Sequence, residues 1–414
     1  MSLLWQPIIQ SRLDTDFYKL TMGQFVYHRY PEVRVMYEMK NRTKSVRIAN
    51  FVDENDLRKE LNHLQGICLT PKEYFNLRDL RFDGRRRMFQ DDYLDFFRGL
   101  FLPDYRLEKE DGEYKLTFPG KWSEAIYWES PALAIVTELT YQGMMKQMSS
   151  AERSLHIATG AERMVNKLKI IQNYPGISFM EFGTRRRFSR EWQDYVIASA
   201  KMLVPQHLLG TSNVWMAMKH GIKSGGTVAH ETSMAFACIY HSNDDEIRAS
   251  QMKMLDEWVQ EYSPYLLTAL TDLYGSAFFF SEFKSRAAKW QGMRQDSGDP
   301  FAFAKAAIKF FEDLWINPKT KTVLFSDGLD VDTIIKLHLA FSQSIQCAFG
   351  WGTNLTNDLD FPPISLVIKL IECCGYPAVK LSDNLAKATG PAEEIERYKK
   401  IFRHTGTLYE PCTY

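Results

Sequence analysis

Arginines, aspartates, glycines and one histidine stand in short segments that each follow an apolar run, and together these residue types can grip a phosphorylated sugar. The run at 177–182, ending in Phe182, leads into Gly183-Thr184-Arg185-Arg186-Arg187, and the run at 226–229, which contains Thr227, leads into His230-Glu231. The run ending in Arg294 leads into Gln295-Asp296-Ser297-Gly298-Asp299; two later runs lead into Ser326-Asp327-Gly328 and Gly350-Trp351-Gly352-Thr353-Asn354. Arginine supplies forked, charge-assisted donors to phosphate, and glycines such as Gly350 and Gly352 let backbone amides approach an anion. Asp296 and Asp327 can accept from sugar hydroxyls, or share a hydrated magnesium ion with substrate oxygens. Read singly, each feature has an ordinary structural reading. A triple arginine is usually a solvated face, a lone histidine is usually structural, Asp327 suits a turn, and paired glycines mark turns. Their common placement after successive strands is what joins them.

The elements that must position these residues follow from periodicity. Apolar runs at 177–182, 226–229, 266–271, 291–294, 322–325, 346–349 and 378–381 alternate with amphipathic helical stretches such as 300–314 and 331–341. Such alternation implies parallel strands with crossover helices, and the count favours a closed α/β barrel. In a parallel barrel the segments after the strands gather at one end, where active sites of that fold sit. The first third is mixed α and β. Residues 33–39 alternate with the period of a half-buried strand, and two strand-like runs flank the hairpin turn Asp111-Gly112. The charged stretch 78–98 reads as helical. The change of pattern near residue 140 divides the chain into an N-terminal α+β domain, 1–140, and a barrel, 141–384, with 385–414 expected to rejoin the first domain.

A chain of 414 residues exceeds what one core usually serves. Lys+Arg and Asp+Glu number 51 each, so a general nucleic-acid binder, which needs a cationic surplus, is not expected. The six cysteines (Cys68, Cys238, Cys347, Cys373, Cys374, Cys412) form no C-x-x-C pair, which fits reduced thiols in the cytoplasm and assigns no protein-held metal centre. No secretory signal is read in residues 1–16, and no apolar run approaches the roughly 20 residues that span a bilayer.

In order along the chain, the stretch 14–22 containing Tyr18, Gly120-Lys121-Trp122-Ser123-Glu124, Glu181-Phe182-Gly183-Thr184-Arg185-Arg186 and Gly226-Thr227-Val228-Ala229-His230-Glu231 carry a resemblance. So do Arg294-Gln295-Asp296-Ser297-Gly298-Asp299-Pro300, Ser326-Asp327-Gly328-Leu329-Asp330, the segment around Gly350 and Gly352, and Val379-Lys380-Leu381-Ser382-Asp383. Together they resemble the nicotinate phosphoribosyltransferase family over nearly the whole chain. The resemblance implies a type II phosphoribosyltransferase fold, an irregular α/β barrel with an N-terminal α+β domain, working as a homodimer with shared active sites. It implies the union of nicotinate with phosphoribosyl pyrophosphate to give nicotinate mononucleotide and pyrophosphate, with ATP as cosubstrate and Mg2+ as cofactor.

By the same matching, His230 is the histidine phosphorylated from ATP, and Arg185 and Asp296 complete the catalytic set. Tyr18, arriving from the neighbouring subunit, and Phe182 sandwich the pyridine ring, while Thr227 and Arg294 bind its carboxylate. Asp327, with Asp296, contacts the ribose; Gly350, Gly352 and Thr353 surround the 5′-phosphate. Trp351 departs from the commoner glycine-rich form of that segment. Glu231 is expected to orient the His230 ring or to serve in a surface ion pair. Related nicotinamide-specific enzymes carry Asp where Ser212 stands; a buried carboxylate would repel nicotinate, so Ser212 favours the acid. Two rivals stay open: a catalytically silent relative acting as a regulatory partner, and the same chemistry on nicotinamide or quinolinate.

Overall fold

The computed structural model describes residues 5–406. Residues 407–414, with Cys412 and the end of the segment expected to rejoin the first domain, lie outside the described residues. Two sheets organise the chain. The first is antiparallel and begins with β1 (Arg34–Asn41), β2 (Arg106–Glu110) and β3 (Glu113–Lys121). Asp111 and Gly112 both take positive φ between β2 and β3, the conformation a two-residue hairpin needs.

The second sheet is parallel: β4 (Phe179–Glu181), β5 (Leu208–Thr211), β6 (Lys223–Ser224), β7 (Thr268–Leu270), β8 (Gly292–Gln295), β9 (Thr322–Phe325) and β10 (Gln346–Trp351). Its spatial order is β6-β5-β4-β10-β9-β8-β7. The expected irregular α/β barrel is thus a curled half-barrel whose edges, β6 and β7, remain unpaired with each other among the described residues. The chain then returns through β11 (Leu366–Cys373) and β12 (Tyr376–Pro377), and β11 pairs antiparallel with β1 over Val35–Asn41.

Several expectations shift. Helices Pro300–Asp313 and Val331–Phe341 lie where periodicity puts them, the first capped by the Asp299 carboxylate accepting from Phe301 N. Residues 226–229 form no strand; Gly226 there packs against Tyr18. Residues 378–381 contribute only an isolated bridge, Lys380 to Thr389. The stretch 78–98 is not one helix: Pro71–Asp79 ends before a turn containing Asp83-Gly84, and a second helix, Asp91–Gly99, follows. Strands β5 and β11 carry no run that periodicity singled out. No helix among the described residues is long and apolar enough to cross a membrane.

Candidate active site

The carboxyl ends of β4, β8, β9 and β10 open onto a cavity of about 320 Å³ lined by Phe182, Arg185, Arg294, Asp296, Asp327, Gly350, Gly352 and Thr353. A smaller space of about 70 Å³ adjoins it, lined by Tyr18, Glu129, His230 and Glu231 and sharing Arg185, Arg294, Asp296 and Lys369. Residues scattered from 18 to 387 therefore meet at one rim.

The triple arginine divides three ways. Thr184–Arg186 is a single turn of 3-10 helix, which rotates successive side chains by about 120°. Arg185 points into both cavities, with Nη1 3.2 Å from Glu129 Oε1 and its guanidinium 5.8 Å from the Tyr18 ring centroid. Arg186 lines the larger cavity and donates to the Leu366 carbonyl. Arg187 is fully buried in an ion pair with Asp14 at 2.6 Å, tying the N-terminal segment to the half-barrel.

Arg294 and Thr227 come together: Arg294 Nη1 donates to Thr227 Oγ1 at 2.9 Å, Nη2 to Asp296 Oδ1 at 2.8 Å and Nε to Ser326 Oγ at 2.7 Å. These contacts use three of a guanidinium's five N–H groups and leave two for a ligand. Against its burial, Asp296 is held well below the usual carboxylate range by Arg294. Burial instead raises Asp327, whose Oδ1 accepts from Lys387 at 2.6 Å. Gly350 is required by Phe182, since a Cβ there would lie 2.4 Å from the Phe182 ring. Trp351 turns away from the cavity, fully buried against Phe179.

His230 opens the helix His230–Ile239 and is 8% exposed. Its Nε2 lies 2.7 Å from Asp272 Oδ1 and 3.0 Å from Lys380 Nζ, whereas Nδ1 faces only Asp296 Oδ2, at 3.8 Å. Burial lowers the imidazole from 6.5 to about 4 against the pull of Asp272, so the ring is neutral at pH 7. His230, Asp272 and Asp296 converge closely enough to hold a metal ion, but the Lys380 ammonium stands 3.5 Å from Asp272 and already supplies a positive charge there.

Three expectations are corrected. Glu231 does not orient His230: it is engaged by Lys19 at 2.5 Å, Tyr37 Oη at 2.9 Å and Trp122 Nε1 at 3.1 Å. Asp272 holds the ring instead. Within the single chain Tyr18 lines its own smaller cavity: Phe17 N donates to the Ser212 carbonyl and Asp16 bridges Asn213, anchoring the buried helix Phe17–Arg29 beside β5. Ser212 lines neither cavity; its hydroxyl donates to Asp16 at 2.6 Å, and Asp16 in turn lies 3.4 Å from Arg185 Nε. Any effect of residue 212 on a ligand passes through that chain of contacts.

Sequence reasoning overlooked Asp272, Lys380, Lys369, Lys387 and Glu129 as site residues. Asp272 was within reach of the same rule, since it follows the apolar run that contains β7. Lys369 and Lys387 come from later segments that carry no strand signal, and Lys380 stands within the run 378–381 rather than after it.

Two family models match this chain: the nicotinate phosphoribosyltransferase (NAPRTase) N-terminal domain over residues 13–137, and the nicotinate phosphoribosyltransferase (NAPRTase) family over residues 177–406. Among solved structures, nicotinate phosphoribosyltransferase from Porphyromonas gingivalis is similar at 29% identity and TM-score 0.85, covering 96% of this chain and 100% of that one. Nicotinate phosphoribosyltransferase from Vibrio cholerae is similar at 30% identity and TM-score 0.85, covering 97% of this chain and 95% of that one. With both family models matched in order along one chain, and the fold shared from end to end, the protein belongs to the nicotinate phosphoribosyltransferase family.

Proposed function

We propose that this chain joins nicotinate to phosphoribosyl pyrophosphate, giving nicotinate mononucleotide and pyrophosphate, and that phosphorylation of His230 by ATP drives the equilibrium. The observation that carries the reading is the junction of the two cavities. An arginine-, lysine- and glycine-lined space suited to a phosphorylated sugar meets, at Arg185, Arg294 and Asp296, a smaller space holding a neutral histidine.

In this reading the two spare N–H groups of Arg294, with Thr227, take the nicotinate carboxylate, and the Phe182 ring lies against the pyridine face. The nicotinate nitrogen forms its bond to the anomeric carbon as the bond to pyrophosphate breaks. Arg185 and Lys369, on β11, stabilise the departing negative charge, so no proton-transferring pair is needed. Asp296 and Asp327 each keep their Oδ2 free of a hydrogen bond among the described residues, which fits the one or two carboxylates a magnesium ion takes beside substrate oxygens. Bound there, magnesium would supply charge neutralisation for pyrophosphate.

The histidine chemistry follows from its two nitrogens. With the Nε2 proton donated to Asp272, the Nδ1 lone pair is the nucleophile; a bond forms from Nδ1 to the terminal phosphorus of ATP as the bond to ADP breaks. The N-terminus of helix His230–Ile239 favours the negative charge this creates. A homodimer with shared active sites remains part of the reading; light scattering tests the dimer.

The deciding experiment compares wild type with His230→Ala in the presence of nicotinate, phosphoribosyl pyrophosphate and magnesium, with and without ATP. Both are expected to form mononucleotide, and only wild type is expected to be stimulated by ATP. Equal stimulation removes His230 from its role, and no mononucleotide from wild type overturns the whole reading.

A further inference from the structure

Three thiols meet at the turn that ends β11, outside both cavities. Cys373 is the last residue of that strand, and Cys374 and Gly375 make the turn into β12 with φ of 55° and 80°. Cys373 Sγ lies 3.9 Å from Cys374 Sγ. Cys238, on the helix that begins at His230, packs into the same corner with Sγ 3.6 Å from the Pro377 carbonyl.

Exposure separates the thiols. Cys238 and Cys373 are buried, while Cys374 is exposed in a groove whose rim includes Arg29, Arg34 and Arg106. The hydrogen bond with Cys373 draws the Cys374 thiol down, which enriches the reactive thiolate near neutral pH. Hydrogen bonds with Cys238 and Cys374, together with burial, hold Cys373 up as a thiol. Cys347, partly buried and away from this corner, is pushed up to about 12 by burial.

We propose that Cys374 and Cys373 form a peroxide-reactive modification site that closes reversibly to a disulfide between adjacent residues. The Cys374 thiolate attacks one oxygen of hydrogen peroxide; an S–O bond forms, the O–O bond breaks, and the departing hydroxide takes up a proton as water. The Cys373 sulfur then attacks the sulfenic sulfur. An S–S bond forms, the S–O bond breaks, and the hydroxyl leaves as water with the Cys373 proton. Two thiols lose two electrons in all, and one peroxide becomes two waters. The sulfurs must close from 3.9 Å to about 2.05 Å, which takes side-chain rotation together with a shift of the turn's backbone. Adjacent Cα atoms stand about 3.8 Å apart, below the usual span of a disulfide, so the bond is strained and easily reduced, as labile rather than structural disulfides are.

The test treats the full-length protein with a few equivalents of hydrogen peroxide, blocks remaining thiols and maps the peptides by mass spectrometry. The peptide spanning Cys373 and Cys374 is expected to lose two hydrogen atoms and to regain them with dithiothreitol. Cys373→Ser is expected to trap a sulfenic acid at Cys374 that reacts with dimedone, and Cys374→Ser to abolish the two-hydrogen loss. Wild-type mapping decides the matter even if a variant fails to fold. Finding Cys374 still a free thiol while Cys68 oxidises, or a Cys238–Cys373 disulfide with Cys374 untouched, overturns the proposal.

Discussion

Asp272→Asn removes one negative charge from the most enclosed part of the site while keeping its shape. The Asp272 carboxylate is 1% exposed and accepts from His230 Nε2 at 2.7 Å, Ser297 Oγ at 2.6 Å and Ser382 Oγ at 3.2 Å, with Lys380 Nζ 3.5 Å away. An amide cannot balance the Lys380 charge, and Lys380 Nζ, 3.0 Å from His230 Nε2, is then free to donate to that nitrogen. The ring proton moves to Nδ1, which loses its nucleophilic lone pair. A hydrogen bond to a charged group contributes about 1.5–3 kcal/mol. Because about 1.4 kcal/mol is tenfold in rate, phosphorylation by ATP should fall roughly 10- to 100-fold. Synthesis without ATP should stay near wild type, since Asp272 lines neither cavity. Leaving Lys380 without its carboxylate should also cost about 3–5 kcal/mol of stability, read as a lower melting temperature. The assay follows mononucleotide and ADP together, with and without ATP. Wild-type ATP stimulation in Asp272→Asn would refute the argument that Asp272 sets the ring's tautomer.

Gly350→Ala places a methyl group 2.4 Å from the Phe182 ring, and overpacking of this kind costs about 1–3 kcal/mol; the Phe182 ring must swing, raising KM for nicotinate more than that for phosphoribosyl pyrophosphate, as initial-rate kinetics would measure. Lys369 faces both cavities with no hydrogen-bond partner among the described residues, and burial, with the cations Lys380 and Arg42, holds its ammonium well below the ordinary lysine range. Lys369→Met should therefore leave the fold intact by circular dichroism and raise KM for phosphoribosyl pyrophosphate about 10- to 100-fold, one charged hydrogen bond being lost. Burial raises the Glu138 carboxyl from 4.5 to about 8, against Arg187. A folded-state value above the unfolded one contributes stability that is full below pH 4.5 and lost as pH rises through about 8, with a slope of up to about 1.4 kcal/mol per pH unit. Denaturant titrations of Glu138→Gln between pH 5 and 8 should show a shallower decline than wild type; parallel slopes would exclude Glu138 as the cause.

Local sequence determined what depends on neighbours along the chain. The hairpin at Asp111-Gly112, the helices following Pro300 and Val331, and the strand ends carrying Arg185, Arg294, Asp296, Asp327 and Gly350 are all set by periodicity and turn chemistry within a few residues. Only the tertiary structure decided which charges face one another. The three adjacent arginines look alike in sequence, yet one faces the ligand space, one the rim and one a buried aspartate, because a single 3-10 turn aims them apart. Glu231 stands next to His230 in the chain but serves Lys19, while Asp272, 42 residues away, holds the histidine ring. β11 has no alternating pattern because it is buried on both faces, at Leu366, Val367, Ile368 and Leu370, so its Lys369 reads as an ordinary strand residue until the fold sets it at the junction of the two cavities. Pairing between distant charges depends on three-dimensional proximity and desolvation, and neither quantity is encoded in residue spacing.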